Sequence, residues 1–313
     1  MTTPEPTSAS NITEQNKALF NRWFGRVWNS GEYAIAHEVI SPRMRVHGAG
    51  GQPVEQGPDG LVGLISTWRD AFPDGRMDST LLIAEGDLVA ALLTWRGTHQ
   101  AEFYGAPASG QSVVCTSIGI DRIENGIIVD GWGELDMVGM MQQMGVMPKV
   151  GPGASAHEQS AEWGSPTEVR PGEGRGDEKA VAQAFVEAFN AGNLTPVLAE
   201  DYREFNPALG ARDADEANEI VAELRAAMPD LQYRHDPGLL IAEGDLVAVH
   251  GVLIGTYNGA GLWGSKPNGQ YVAWTQSEIL RIRDGKVAER WSCPDVLSLY
   301  QGAGVLPTAG GTS

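Results

Sequence analysis

The sequence predicts an α+β protein of two tandem cone-shaped domains. Each is expected to pack three N-terminal helices on a strongly curved, mainly antiparallel four-stranded sheet. Three observations carry that expectation. The decapeptide LLIAEGDLVA at Leu81–Ala90 recurs letter for letter at Leu239–Ala248, 158 residues further on. Landmarks around it recur too: Ala71-Phe-Pro-Asp74 answers Ala227-Met-Pro-Asp230, Arg122-Ile-Glu-Asn-Gly126 answers Arg281-Ile-Arg-Asp-Gly285, and Gly145-Val-Met-Pro148 answers Gly304-Val-Leu-Pro307. Within each copy the apolar period changes from about 3.6 to about 2 just after the Pro-Asp pair, so helices come first and strands follow. A spacing of 158 residues far exceeds the repeat of a stacked solenoid, so the chain is a duplicated domain.

Taken in order, residues 1–10 are rich in Ser, Thr and Pro and are expected to be disordered. Asn11 followed by Glu14 has the form of a capping box and opens a helix with Phe20, Trp23, Phe24, Val27 and Trp28 on its apolar face, ended by Asn29-Ser-Gly31. A short helix over Tyr33–Ile40 leads to Arg43-Met-Arg-Val-His47, which alternates like the start of a strand, and a loop follows to Pro58. Asp59–Phe72 is a third helix, burying Leu61, Leu64, Ile65 and Trp68 and stopped by Pro73. Strands are expected at Met77–Ala84, Leu88–His99, Gln111–Ile123 and Ile127–Gly133, with a glycine turn at Glu85-Gly-Asp87, and a short helix over Asp136–Met144. Residues 149–177 are dense in Gly, Pro, Ser and charge and read as a flexible linker. The second copy repeats the order, with helices from Glu178 and over Asp215–Met228 before four strands. The domains thus run over 11–148 and 178–307, and residues 308–313 are a disordered tail. A cone of this kind closes imperfectly at its wide end and leaves a pocket.

Composition narrows the function. The net charge is −18, which provides no basic footprint for nucleic acid. There is neither a basic, apolar leader nor a run of apolar residues long enough for a membrane span, so a soluble, cytoplasmic protein is expected. Cys115 and Cys293 occupy non-equivalent places in the two copies, which encodes neither a duplicated disulfide nor a metal cluster. No His-x-x-x-His, Cys-x-x-Cys or phosphate-binding glycine loop occurs, so no metal and no cofactor is expected.

Several of these residues together resemble the SnoaL-like polyketide cyclases, or ester cyclases, of the nuclear-transport-factor-like cone fold. They are Trp28-Asn-Ser-Gly31 (Phe189-Asn-Ala-Gly192 in the second copy), Ala71-Phe-Pro-Asp74, Ala84-Glu-Gly-Asp87, Gly97-Thr-His99, Gly105-Ala-Pro107 with Gly110, and Gly131-Trp-Gly-Glu-Leu-Asp136 followed by Gln143-Met-Gly145 and Pro148. The resemblance implies a cofactor-independent enzyme acting on an apolar, polyketide-like small molecule. It also implies that the two copies pair sheet to sheet as an intramolecular pseudo-dimer, because single-copy relatives dimerise and fusion raises the local concentration of the partner surface. By motif, the acid/base is Asp136, with Asp295 its counterpart. His47 falls where the family often has a cavity-side His and is answered by Asn206, while His99 is answered by Tyr257.

Ring closure by aldol chemistry needs a base to take a proton between two carbonyls and a donor for the developing oxyanion. A carboxylate in an apolar pocket suits the first role, since desolvation raises its pKa, and an imidazole suits the second. Asp136 reads equally as that base and as the N-cap of the terminal helix. His47 and His99 read either as pocket groups or as hydrogen-bonded core. Glu134 is either a carboxylate partner of Asp136 or a solvated rim residue, and His250 and Glu278 are further candidates on strands of the second copy. Two alternatives remain open: an epoxide-opening hydrolase or cyclase, for which Arg96 and Asp121 could serve, and a non-catalytic binder of an apolar molecule.

Overall fold

In the computed structural model, which describes residues 9–48, 53–148, 151, 170–206, 208–210 and 212–306, the chain opens with a helix that changes its winding part-way. Helix α1 (Ala9–Arg22) continues as a π-helical turn, Trp23–Asn29. Such a turn closes i→i+5 hydrogen bonds, so Trp23 and Trp28 come to the same side, toward the sheet. Because α1 begins before Asn11, that residue is not its cap; Asn11 Oδ1 accepts from Gln15 Nε2 at 2.9 Å instead. After a 3₁₀ turn at Tyr33–Ile35 and α2 (Ala36–Val39) come β1 (Ile40–His47), β2 (Val54–Glu55) and α3 (Gly57–Ala71). The meander follows as β3 (Arg76–Glu85), β4 (Leu88–Thr98), β5 (Ser112–Glu124) and β6 (Ile127–Leu135), closed by α4 (Met137–Gln143).

The sheet is wider than the expected four strands. Its order is β2-β1-β6-β5-β4-β3, six strands in all, because β1 pairs parallel with β6 and β2 pairs antiparallel with β1. A meander alone would leave β6 with an open edge, and β1 covers it. The second unit repeats the plan with α5 (Glu178–Ala191), β7 (Leu198–Phe205), α6 (Ala214–Ala227), β8 (Gln232–His235), β9 (Ile241–Glu243), β10 (Leu246–Thr256), β11 (Tyr271–Arg283), β12 (Lys286–Pro294) and α7 (Val296–Gly302). Here the strand matching β3 is interrupted between β8 and β9 by a turn at Pro237, whose ring nitrogen cannot donate to the ladder.

Two of the shared motifs are clamps. Asn29 uses both ends of its amide on Met77, donating to its carbonyl and accepting from its N–H, each at 2.7 Å, and Asn190 treats Tyr233 the same way. Asp74 accepts from the N–H and the hydroxyl of Thr98, both at 2.7 Å, as Asp230 does from Thr256. These bonds hold the helical layer and the turn after it to the ends of the meander.

Side chains alternate across each strand. Val89, Ala91, Leu93 and Trp95 of β4 face the helices of the first unit. Leu88, Ala90 and Leu92 face the other way and join Ile118 and Ile120 in one apolar cluster with Leu239, Ile241, Leu246, Ala248 and Ile279 of the second unit. The repeated decapeptide lies in that contact. Gly86 and Gly244, at φ 60° and 57°, make its two turns. Glu85 crosses over to accept the Ala242 N–H, and Glu243 crosses back to accept the Ala84 N–H, each at 2.7 Å. Lys179 pairs with Glu85 and Lys17 with Glu243.

Residues 170–177, read from sequence as linker, are tied to the second unit: Gly172 N–H donates to Asp245 and Gly176 N–H to Glu178. Residues 9 and 10, read as tail, belong to α1. The remaining expectations of disorder, for residues 1–8, most of 149–169 and 308–313, lie outside the described residues. No helix among the described residues is long and apolar enough to cross a membrane.

Candidate active site

Between the sheet and the helices of the first unit lies a cavity of about 430 Å³. Its helical wall is aromatic, with Phe20, Trp23, Phe24 and Trp28 from the first helix and Trp68 from α3. Glycines hollow the sheet side. Gly119 of β5 pairs with Gly133 of β6, and Gly131 lies two residues away on the same face. A Cβ at Gly133 would meet nothing within 4 Å, and one at Gly119 would meet nothing closer than 3.8 Å, so the space over them is open.

Two carboxylates border the cavity, Asp121 on the same strand face as the glycines and Glu134 on β6, whose partner Ile118 faces the second unit, so that its side chain lies on the opposite face. Asp121 pairs with Gly131 across β5 and β6 and lines the cavity, where part of its surface remains accessible. It makes no hydrogen bond or ion pair to another described residue, and burial alone pushes its pKa up to about 7. A carboxyl group poised there exchanges a proton at neutral pH in either direction. Ser117, four residues back along the same strand face, adds a hydroxyl roughly 13 Å away at about 3.3 Å per residue.

The three residues proposed from the resemblance are not brought together, and none of them lines the cavity. Asp136 is the N-cap of α4: its Oδ1 accepts from Gly139 N–H at 2.9 Å. Its Oδ2 is buried without a partner, and burial, partly offset by that N–H, raises its pKa to about 6. His99 is fully buried beyond β4, stacked on Phe72, with Nδ1 accepting from the Ser109 N–H. His47 lies on the convex side of the sheet, stacked on Trp132 at 4.3 Å with Nε2 2.8 Å from Asp130. Burial works to raise the Asp130 pKa, but Arg45 and His47 outweigh it and hold the group below its usual range. The cause is alternation: His47 is one residue past cavity-lining Val46, so it points to the opposite face.

The secondary candidates are distributed as follows. Glu134 is not a solvated rim residue. It is 5% exposed, borders the cavity from β6 and keeps its Oε1 buried without a partner; burial pushes its pKa up to about 8, with Thr275 of the second unit lowering it and Asp295 raising it. Arg96 pairs with Asp78 at 3.3 Å, near the far end of β4 from the residue opposite Asp121, so the two do not form an epoxide-opening set. Asp295 caps α7 through Ser298. His250 is buried with Nδ1 2.9 Å from Ser277 Oγ, and burial depresses its pKa to about 4. Asn206 accepts from Leu209 N–H, and the Tyr257 hydroxyl accepts from Leu262 N–H at 2.8 Å.

Glu278 belongs to a buried network that occupies the matching region of the second unit. Arg290 donates to Glu278 at 2.6 Å and to Glu204 at 2.7 Å, Tyr233 donates to Glu278 and Tyr202 to Glu204, both at 2.8 Å, and the guanidinium lies over Phe185 at 5.2 Å. By the spacing of the two copies, Glu278, Arg290 and Ser292 stand where the first unit has Gly119, Gly131 and Gly133, and Leu280 stands where it has Asp121. The open floor of one copy is the packed polar core of the other. Among the described residues, no group of three or more His, Cys, Asp or Glu is arranged to hold a metal.

Two curved-sheet units, one hollow and carrying a desolvated carboxylate, define a class: a cone-fold protein with a cavity between sheet and helices. The model of the SnoaL-like polyketide cyclase family matches the chain twice, at residues 18–144 and 179–302, and the chain belongs to that family. Among solved structures it is similar to IdmH, a candidate polyketide cyclase from Streptomyces antibioticus, with 30% identity over 42% of this chain and 99% of that one and a TM-score of 0.39. AclR, a candidate hydroxylase from Streptomyces galilaeus, shows 26% identity over 44% and 99%, at a TM-score of 0.40. A candidate SnoaL-like polyketide cyclase from Jannaschia sp. CCS1 shows 21% identity over 47% and 100%, also at 0.40. No curated protein matches.

Proposed function

We propose that the chain is a cofactor-independent cyclase or isomerase of apolar, polyketide-like intermediates, working in the first unit with Asp121 as its acid and base. The observation that carries this reading is a carboxylate without a hydrogen-bond partner among the described residues, its pKa raised to about 7, on the same strand face as the glycine floor of an aromatic cavity. The ionised Asp121 takes a proton from the carbon between two carbonyls, and the electron pair passes into the enolate. The enolate carbon attacks a second carbonyl of the folded chain, forming the ring bond. Asp121, now neutral, returns the proton to the alkoxide and is regenerated. Burial favours both halves, because it makes the carboxylate a stronger base and makes its protonated form stable enough to wait. The aromatic wall keeps the chain folded and excludes water.

The test compares Asp121→Asn with Asp136→Asn in the ring closure of an aryl-bearing β-keto ester followed by chromatography and mass spectrometry. Asp121→Asn should lower kcat/KM by about 10²–10⁴, the range for a positioned base, while Asp136→Asn, which keeps the cap, should stay within about threefold. The native rate should rise with pH through about 7, because the ionised form is the base. The opposite ranking of the two variants would return the role to Asp136.

A further inference from the structure

Among the described residues, Tyr104 is the one that borders both the cavity and a second hollow beside it, a groove of about 470 Å³ between the Phe103–Pro107 loop and Met141, Met144 and Val146. It is 62% exposed, and its backbone is left-handed at φ 47°, which is uncommon for a bulky residue. Its root is rigid. Phe103 is buried against Trp68 at 4.8 Å and Phe72 at 5.2 Å, and it pairs with Ala106 in a two-way backbone bridge. The Tyr104 hydroxyl makes no hydrogen bond to another described residue.

The second unit shows the same turn with its ring fastened. Trp263 has the same φ of 47°, packs on Tyr300 at 5.5 Å, and donates its Nε1–H to Glu223 at 2.9 Å. The hydroxyl of Tyr257 ties that loop further through Leu262 and Ser265. The matching positions of the first unit are Met141 for Tyr300, Thr67 for Glu223 and His99 for Tyr257. The side chains that fasten the ring in one copy are therefore replaced in the other, and the replacement coincides with the hollow unit.

We propose that Tyr104 is the gate of the first cavity, its ring alternating between the groove along Met141 and a position across the cavity mouth. The groove is where Trp263 rests in the second unit, and the mouth is where a ring hinged on Phe103 closes over a ligand. The gate rests on the first cavity being the working site, but its test reads uptake and release of a probe rather than turnover, so a failure of Asp121 as base leaves it standing.

The probe is Nile red, neutral and apolar, followed by stopped-flow fluorescence with the full chain. The signal counted is the part abolished by Gly133→Phe, which fills the cavity from its open floor. Tyr104→Asn tolerates the left-handed backbone and removes the ring. It should raise the association and dissociation rates together by roughly tenfold, as expected for a mouth open about a tenth of the time, with Kd changed less than about threefold. The triple variant Tyr104→Trp, Met141→Tyr, Thr67→Glu, which installs the second unit's fastening, should hold the ring in the groove and raise both rates as well. Rates within about twofold of native in Tyr104→Asn overturn the gate, and so does the absence of any Gly133→Phe-sensitive binding in both the native chain and Tyr104→Asn.

Discussion

Replacing Asp121 by Asn should make the protein more stable while making it inactive, and the gain should depend on pH. The carboxyl is raised from 3.8 to about 7 by burial, which at about 1.36 kcal/mol per pH unit corresponds to about 4 kcal/mol between its charge states, an upper bound for a side chain that keeps some access to solvent. The folded protein binds this proton more tightly than the unfolded chain does. The penalty is therefore absent well below the unfolded value, grows as pH rises, and is complete above about 7. Asn carries no such penalty at any pH, and whatever its amide costs in packing is the same at every pH. Between pH 5 and pH 8 the advantage of Asp121→Asn over the native chain should grow by about 2 kcal/mol, or roughly 6 °C in Tm for domains of this size. Differential scanning calorimetry of both proteins across that range measures it, with kcat/KM read from the same samples. A difference in Tm that stays flat from pH 5 to pH 8 would refute the desolvation of Asp121 and the mechanism built on it.

Gly133→Phe should fold normally and lose turnover, because the added ring enters open space; circular dichroism and the cyclisation assay check the two halves of that statement. Arg290→Met leaves Glu204 and Glu278 buried without their cation and should cost about 3–5 kcal/mol in urea unfolding; a cost under about 1 kcal/mol would mean the network is not sealed from water. Glu85→Ala and Glu243→Ala should each cost about 1 kcal/mol, and the double-mutant cycle measures how far the two reciprocal bonds depend on each other.

The architecture was legible because its signals are periodic and occur twice. The strands of the meander fall within two residues of their expected ends, and the turns at Gly86 and Gly244 take the positive φ that glycine permits. The parallel pairing of β1 with β6 was not legible, since a strand's partner is set by the whole sheet and Arg43–His47 carries only alternation. The site was harder to read for a related reason. Motif residues mark the fold more than the chemistry: Asn29 and Asp74 clamp backbone, and Asp136 caps a helix. The signal that could have found the cavity is parity. Ser117, Gly119 and Asp121 share one face of β5, and Gly119 together with Gly131 and Gly133 of β6 becomes Glu278, Arg290 and Ser292 in the second copy.

The identity of the decapeptide and the divergence of the two cavities follow from one arrangement. At the contact between the units each copy meets the same stretch of the other, so Glu85 needs the Ala242 N–H just as Glu243 needs that of Ala84, and a change in either copy breaks a bond whose mate has the same form. Inside a cone, side chains meet only their own unit, and nothing in that geometry requires the copies to match. Arg290 can therefore stand where the first unit has Gly131, and Glu278 and Ser292 where Gly119 and Gly133 leave open space. At that level the second unit is filled by the Arg290 network, and its β10 and β11 back the strands that carry Asp121 and the glycine floor through Ala248, Ile279 and their neighbours. A filled, hydrogen-bonded interior in one copy and an open, desolvated cavity in the other are complementary uses of the same fold.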